Sequence, residues 1–239
     1  MGGLLAAFGD ARTLLTTDQD PMVVAGIFIL VVAGWVLSLT LHEFGHAFVA
    51  FKGGDYEVAS KGYLSMDVRH YTDPVLSIVL PLVFLLIGGI PLPGGAVWIN
   101  RWALRNRTVA SWVSLAGPLT NLLIGVVLTV AAIVVPMPVG LLAGLSFLAL
   151  LQIATFVLNI LPVPGLDGYG AIEPYLSPEA REFGAKARPW APLILFALLF
   201  AVPAVGSAFW DLVQFLYGLA GGDDLAAAVG QYAFLFWRH

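Results

Sequence analysis

Residues 21–51 read PMVVAGIFILVVAGWVLSLTLHEFGHAFVAF, and Glu43 is the only formally charged side chain among them. As a helix this run is ~45 Å long, against a hydrocarbon core of ~30 Å, so it spans a bilayer and must tilt or protrude. His42 and His46 lie four apart, which puts both imidazoles on one helix face and within reach of one metal ion. Glu43 borders that face, where a carboxylate can take a proton from a water that the metal activates. Counting back from Lys52, His42 lies ten residues inside the run, ~15 Å deep. Ionisable groups at that depth are costly unless paired or metal-bound, so the cluster points to function. The plainer alternative is a chance pair of histidines, each bonded to a neighbouring helix.

Composition agrees with a membrane protein. The chain has 239 residues, of which 59% are hydrophobic and 11% charged, with a mean hydropathy of +0.91; soluble domains carry about 25% charged residues. Cysteine is absent, which removes disulfides and thiolate metal ligands. No polar stretch is long enough for a second folded domain, and nothing points to a nucleic-acid partner. We divide the chain into a lead-in over 1–20, a core over 21–170, and a loop with C-terminal membrane helices over 171–239.

The lead-in has neither a basic stretch nor a cleavage site, so it does not read as a signal peptide. After Gly53-Gly54, which end the first helix, residues 52–73 form a polar break. Tyr56–Val58 and Tyr63–Met66 read there as short strands turning at Lys61-Gly62, and His70 is a lone loop histidine. Residues 74–100 are uncharged but interrupted by Pro81, Gly88-Gly89 and the PLPGG run at 91–95. Two readings compete, a complete span or a re-entrant segment that returns as an extended strand, Ala96-Val97-Trp98-Ile99-Asn100, and the parity of the spans favours the second. Irregular backbone at membrane depth needs protein or a water cavity to satisfy it.

Residues 108–166 then run without a charge. Pro136-Met137-Pro138 divides them into spans over 108–135 and 139–161. The second ends in Asn159-Ile160-Leu161-Pro162-Val163-Pro164-Gly165-Leu166-Asp167-Gly168, whose prolines and glycines unwind the helix. Asp167 is the first acid after that run, emerging where the span gives out. It is either a polar loop residue or the third protein ligand of a catalytic zinc. Nine of the eleven basic residues fall at the motif end of span one or the Asp167 end, which makes that side cytoplasmic by the positive-inside rule. His42, His46 and Asp167 then share one depth, provided 74–100 leaves the membrane on the side it entered. Farther on, residues 169–188 read as a polar loop, Trp190–Val205 as a short span, and 207–219 and 225–237 as insecure crossings.

These motifs resemble the site-2 protease family of intramembrane zinc metalloproteases. His42-Glu43-Phe44-Gly45-His46 matches its H-E-x-x-H, and Asn159 to Gly168 matches its N-x-x-P-x-P-x-L-D-G. Ala116-Gly117-Pro118-Leu119-Thr120-Asn121 looks like the A-G-P-x-x-N of its middle core helix. The resemblance implies one Zn2+ on His42, His46 and Asp167, Glu43 as general base, and Asn159 holding substrate or the developing oxyanion. It also implies a transmembrane-helix substrate cut near the cytoplasmic face of a bacterial cell membrane, with strand 96–100 docking the unwound segment. No PDZ insertion or nucleotide-sensing (CBS) domain is visible, so the chain reads as a minimal form, and an adaptor protein is an expected partner.

The fold class expected is an all-α multi-pass membrane protein. Three transmembrane helices surround the zinc site, with a re-entrant segment, short membrane-associated β-strands and peripheral C-terminal helices. For Gly117, Asn121 and Gly125 the reading is small-residue helix packing. The competing function is a metal-binding or transport membrane protein, including a catalytically silent relative. Transporters usually show paired broken helices in two repeated halves, and no repeat is visible here.

Overall fold

The computed structural model describes residues 20–65 and 97–238. The lead-in up to residue 19, Met66, the re-entrant stretch expected over 74–95, His70 and Ala96 lie outside the described residues. The first helix, α1 (Pro21–Gly53), has 33 residues. Asp20 caps it by accepting from the Met22 amide at 2.8 Å, and Pro21 opens it, a position where a missing N–H does no harm. Gly54 closes it with φ of 121°, in the left-handed region that glycine enters without penalty.

A short helix, α2 (Glu57–Ser60), stands where the first strand was expected, and residues 61–65 are turns. The physical reason is local capping. Asp55 accepts from the Glu57 amide at 3.1 Å, and the Tyr63 amide folds back to the Val58 carbonyl at 3.1 Å. Side-chain capping of this kind competes with strand pairing. No strand occurs among the described residues. Val97–Asn100 is accordingly not a strand either, because carboxylates take two of its amides: Val97 N–H donates to Glu43 and Asn100 N–H to Asp55.

Two further long helices follow, α3 (Arg107–Val134) and α4 (Val139–Asn159), joined by the tight connection through Pro136 and Pro138. The three helices α1, α3 and α4 are each long and apolar enough to cross a membrane. The stretch read as a polar loop holds two helices, α5 (Asp167–Ile172) and α6 (Pro178–Ala187). The short span expected over 190–205 is instead α7 (Ala191–Ala201) and the start of α8 (Pro203–Leu219), separated at Val202. The last long element is α9 (Asp224–Phe234).

α4 is the centre of the bundle. On one side it meets the row Ile27, Val31, Trp35, Leu39 of α1, spaced by four, together with Val229, Ala233 and Phe234 of α9. On another, Ile153, Val157 and Leu158 pack on Phe196 of α7 and on Phe209, Val213 and Tyr217 of α8. The C-terminal helices are therefore less peripheral than expected, since Phe234 is fully buried. α3 is two-faced. Ser114, Gly117, Asn121, Gly125 and Thr129 look inward, while Leu123, Val127, Val130 and Val134 are exposed. Small and polar residues inside with large apolar ones outside is the pattern of a helix solvated by lipid.

Removing the Phe234 ring leaves a cavity between α1, α4 and α9. We predict that Phe234→Ala loses about 3–5 kcal/mol of stability, whereas Leu123→Ala on the outer face changes it by about 0.5 kcal/mol or less. Unfolding of the purified protein in detergent measures both.

Candidate metal centre

Two segments far apart in the chain build the centre. The C-terminal half of α1 supplies His42, Glu43 and His46, which are 5%, 4% and 6% exposed. The other segment is the turn after α4. Pro162 and Pro164 cannot continue the helix, and Gly165 takes φ of 102°. Gly168 then packs so closely on α4 that a Cβ there would lie 2.1 Å from the Ile160 carbonyl oxygen. That turn carries Asp167 back onto α1. Its Oδ2 lies 3.3 Å from His42 Nε2 and 3.5 Å from His46 Nε2, and the two Nε2 atoms are 3.1 Å apart. The acid from late in the chain meets the two imidazoles from early in it.

The rings are held from behind. His46 Nδ1 bonds the Val113 carbonyl at 2.6 Å, and His42 Nδ1 bonds Asn121 Oδ1 at 2.5 Å. An oxygen acceptor at Nδ1 keeps the proton there and leaves the Nε2 lone pair facing the shared centre. Two nitrogen lone pairs and a carboxylate oxygen then converge with no donor among them, which calls for a cation. Around a tetrahedral zinc, with bonds of ~2.0–2.1 Å, donor atoms stand ~3.3 Å apart, close to the observed spacings. The space is also kept open. A Cβ on Gly117 would lie 2.2 Å from His46 Nε2 and 2.5 Å from His42 Nε2. The donor set and this gap fit one zinc ion.

Glu43 sits beside the group, with Oε1 4.0 Å from His42 Nε2 and Oε2 accepting from the Val97 amide at 3.1 Å. Asn159 ends α4, is 1% exposed, and its Nδ2 has no hydrogen-bond partner among the described residues. Of the expected docking segment, Val97 touches Glu43 and Ile99 packs against the buried cluster of Ala47, Ala50 and Val113. Trp98 is exposed, with Lys61 Nζ 5.0 Å from its ring centroid, and Asn100 binds Asp55 at 2.7 Å.

Sequence reasoning passed over Asp55, which is fully buried, and underrated Gly117 and Asn121. An acid beside a helix-ending Gly-Gly and an Asn four residues after a Gly were the signals available. A Cβ on Gly45 would press on Thr120 and the Ala116 carbonyl, so this glycine permits close approach of α3. Gly125 likewise packs against α4.

Two buried histidines and a partly buried aspartate, with a carboxylate beside them inside a bundle of bilayer-length helices, define a membrane-integral metalloprotein of the H-E-x-x-H type. Comparison with known proteins narrows the class. The chain is 44% identical over 239 residues to "Putative zinc metalloprotease Rip2" of Mycobacterium tuberculosis, covering 98% of this chain and 91% of that protein. Its counterpart in Mycolicibacterium smegmatis is 42% identical over 236 residues, with 98% and 90% covered. "Putative zinc metalloprotease YwhC" of Bacillus subtilis is 30% identical over 203 residues, with 80% and 86% covered. No family model matches, and no solved structure matches. The chain belongs to the same family as these proteins, the site-2 protease family of zinc metalloproteases, and its cofactor is zinc.

The Gly117 gap yields a direct expectation. Zinc content of purified Gly117→Ala falls to background, while Gly26→Ala, where a new Cβ meets nothing within 4 Å, keeps the wild-type content. Elemental analysis of the two proteins checks it.

Proposed function

We propose that this protein is an intramembrane metalloendopeptidase that cuts a transmembrane helix of another membrane protein near the cytoplasmic face. The observation that carries the reading is the burial of His42, Glu43 and His46 among three apolar, bilayer-length helices, with the partly buried Asp167 closing on them. A substrate reaching such a group must itself enter the membrane. We assign the catalytic unit to residues 21–170 and a supporting role to 171–239.

Zinc, when bound, supplies a Lewis acid that makes water nucleophilic and polarises a carbonyl. The chain's own residues would do the rest. His42, His46 and Asp167 hold the ion. Glu43 is the general base: its Oε2 is fixed by the Val97 amide, leaving Oε1 on the side of His42. It takes the proton of the attacking water and hands it to the leaving nitrogen. Asn159 carries a buried amide N–H without an acceptor among the described residues, as suits a group that donates only when a substrate carbonyl or oxyanion arrives.

A substrate helix hides its carbonyls in its own hydrogen bonds and must unwind before attack. Residues 96–100 are our candidate docking segment for the unwound stretch. The support is that Val97 lies directly against Glu43. The orientation rests on charge. Gly53 and Arg105 are joined by a backbone bond of 3.1 Å. Glu173 pairs with both Arg101 and Arg188, so the basic ends gather on one side, which we assign to the cytoplasm of a bacterial cell. We include an adaptor protein, which would present substrates, among the proposed partners.

The test is cleavage of a single-span model substrate by the purified protein in liposomes. We expect cleavage by the wild type, none with a strong zinc chelator, and a loss of at least ~100-fold in Glu43→Ala. Zinc bound without any cleavage by the wild type would favour the metal-binding or transport reading.

A further inference from the structure

Three polar side chains are sealed within the apolar spans: Ser38 of α1, Asn121 of α3 and Gln152 of α4 are 2%, 1% and 0% exposed. They form one line that begins at the metal centre. Asn121 Oδ1 bonds His42 Nδ1, and Asn121 Nδ2 donates to Gln152 Oε1 at 2.8 Å. Gln152 Nε2 donates to Ser38 Oγ at 2.8 Å, and the Ser38 hydroxyl donates to the Trp35 carbonyl at 2.8 Å.

The far end of this line sets its direction. A carbonyl accepts and cannot donate, so the Ser38 proton is committed to Trp35 and its lone pair receives the Gln152 amide. Gln152 then turns its oxygen to the Asn121 amide, and the Asn121 oxygen is left to accept from His42. The proton of His42 therefore stays on Nδ1, with the Nε2 lone pair aimed at Asp167 and His46. Reversing any amide would set two donors or two acceptors face to face somewhere along the line, unless Ser38 gave up its carbonyl.

We propose that Gln152 and Ser38 are positioning residues of the metal centre, which fix the tautomer and ring orientation of His42 through Asn121. The proposal rests on the zinc metalloprotease reading and adds residues that lie outside its motifs. The rival role for buried amides and hydroxyls between membrane helices is simple adhesion. The two roles differ in what they require: adhesion needs satisfied partners, whereas the line needs donor and acceptor in a set order.

Zinc affinity of the purified protein, measured by competition with a chromophoric chelator, separates them when thermal unfolding of the metal-free protein is followed in parallel. Gln152→Met keeps length and volume but can neither accept nor donate in the line, and its zinc affinity falls by about 10–100-fold. Gln152→Glu, which burial keeps protonated, presents a carbonyl oxygen to Asn121 and a hydroxyl to Ser38, and returns the affinity to near the wild-type value. Ser38→Ala removes the fixed end and weakens binding in the same direction by a smaller factor.

Wild-type affinity in both Gln152→Met and Ser38→Ala overturns the proposal. So does a Gln152→Glu protein that binds as weakly as Gln152→Met, because the residue then serves packing alone. Should Gln152→Met fail to fold, the Ser38→Ala and Gln152→Glu pair decides on the same criteria. A wild type that binds no zinc would instead bring down the metal-centre reading. A wild type that binds zinc and cleaves, with Gln152→Met indistinguishable from it, removes only the line.

Discussion

Moving a carboxylate or an unpaired imidazole from water into an apolar interior costs several kcal/mol unless a partner compensates. This protein places three such groups at one point, with Oδ2 of Asp167 within 3.5 Å of both Nε2 atoms, and turns their lone pairs toward each other. Much of the bundle follows from that constraint. The turn after α4 must fold back tightly enough to deliver Asp167, so Gly168 packs on the Ile160 carbonyl. α3 must pass close behind the histidines, so it offers Gly117 to their Nε2 atoms and Asn121 and the Val113 carbonyl to their Nδ1 atoms.

The same constraint explains the inverted character of α3. Its inward face is small and polar because it does structural work at the centre, and its outward face is large and apolar because it meets lipid. α4 is different: it is enclosed by α1, α3, α8 and α9, and carries apolar side chains almost all round. Its one long polar residue among them, Gln152, is the one that reaches both Asn121 and Ser38. Rigidity at the centre thus comes from three helices at once rather than from the ligand-bearing helix alone.

What was legible in the sequence was whatever hydropathy, helical spacing and motif chemistry determine. The three long helices stand within a few residues of their expected limits, and Asp167 lies against His42 and His46 as the resemblance implied. What was illegible depended on which partner a side chain finds. The strand expected at Tyr56–Val58 gives way to a helical turn, with Asp55 holding the Glu57 amide in a local turn, and tyrosine and valine preference could not foresee that. Asn121 and Gly117 look alike in sequence, as small residues on a membrane helix, yet one bonds the His42 ring and the other leaves open the space beside both Nε2 atoms. Gln152 sits 31 residues from Asn121 and 114 from Ser38, and no local pattern joins them.

The central claim is that an acid beyond α4 and two histidines of α1 hold a single zinc ion. X-ray absorption at the zinc edge of the purified protein, compared with Asp167→Ala, measures it most directly. We expect a first shell of two imidazole nitrogens with light oxygen donors in the wild type, and the loss of a carboxylate oxygen in the variant. A zinc shell without imidazole, or one that Asp167→Ala leaves unchanged, would contradict the account.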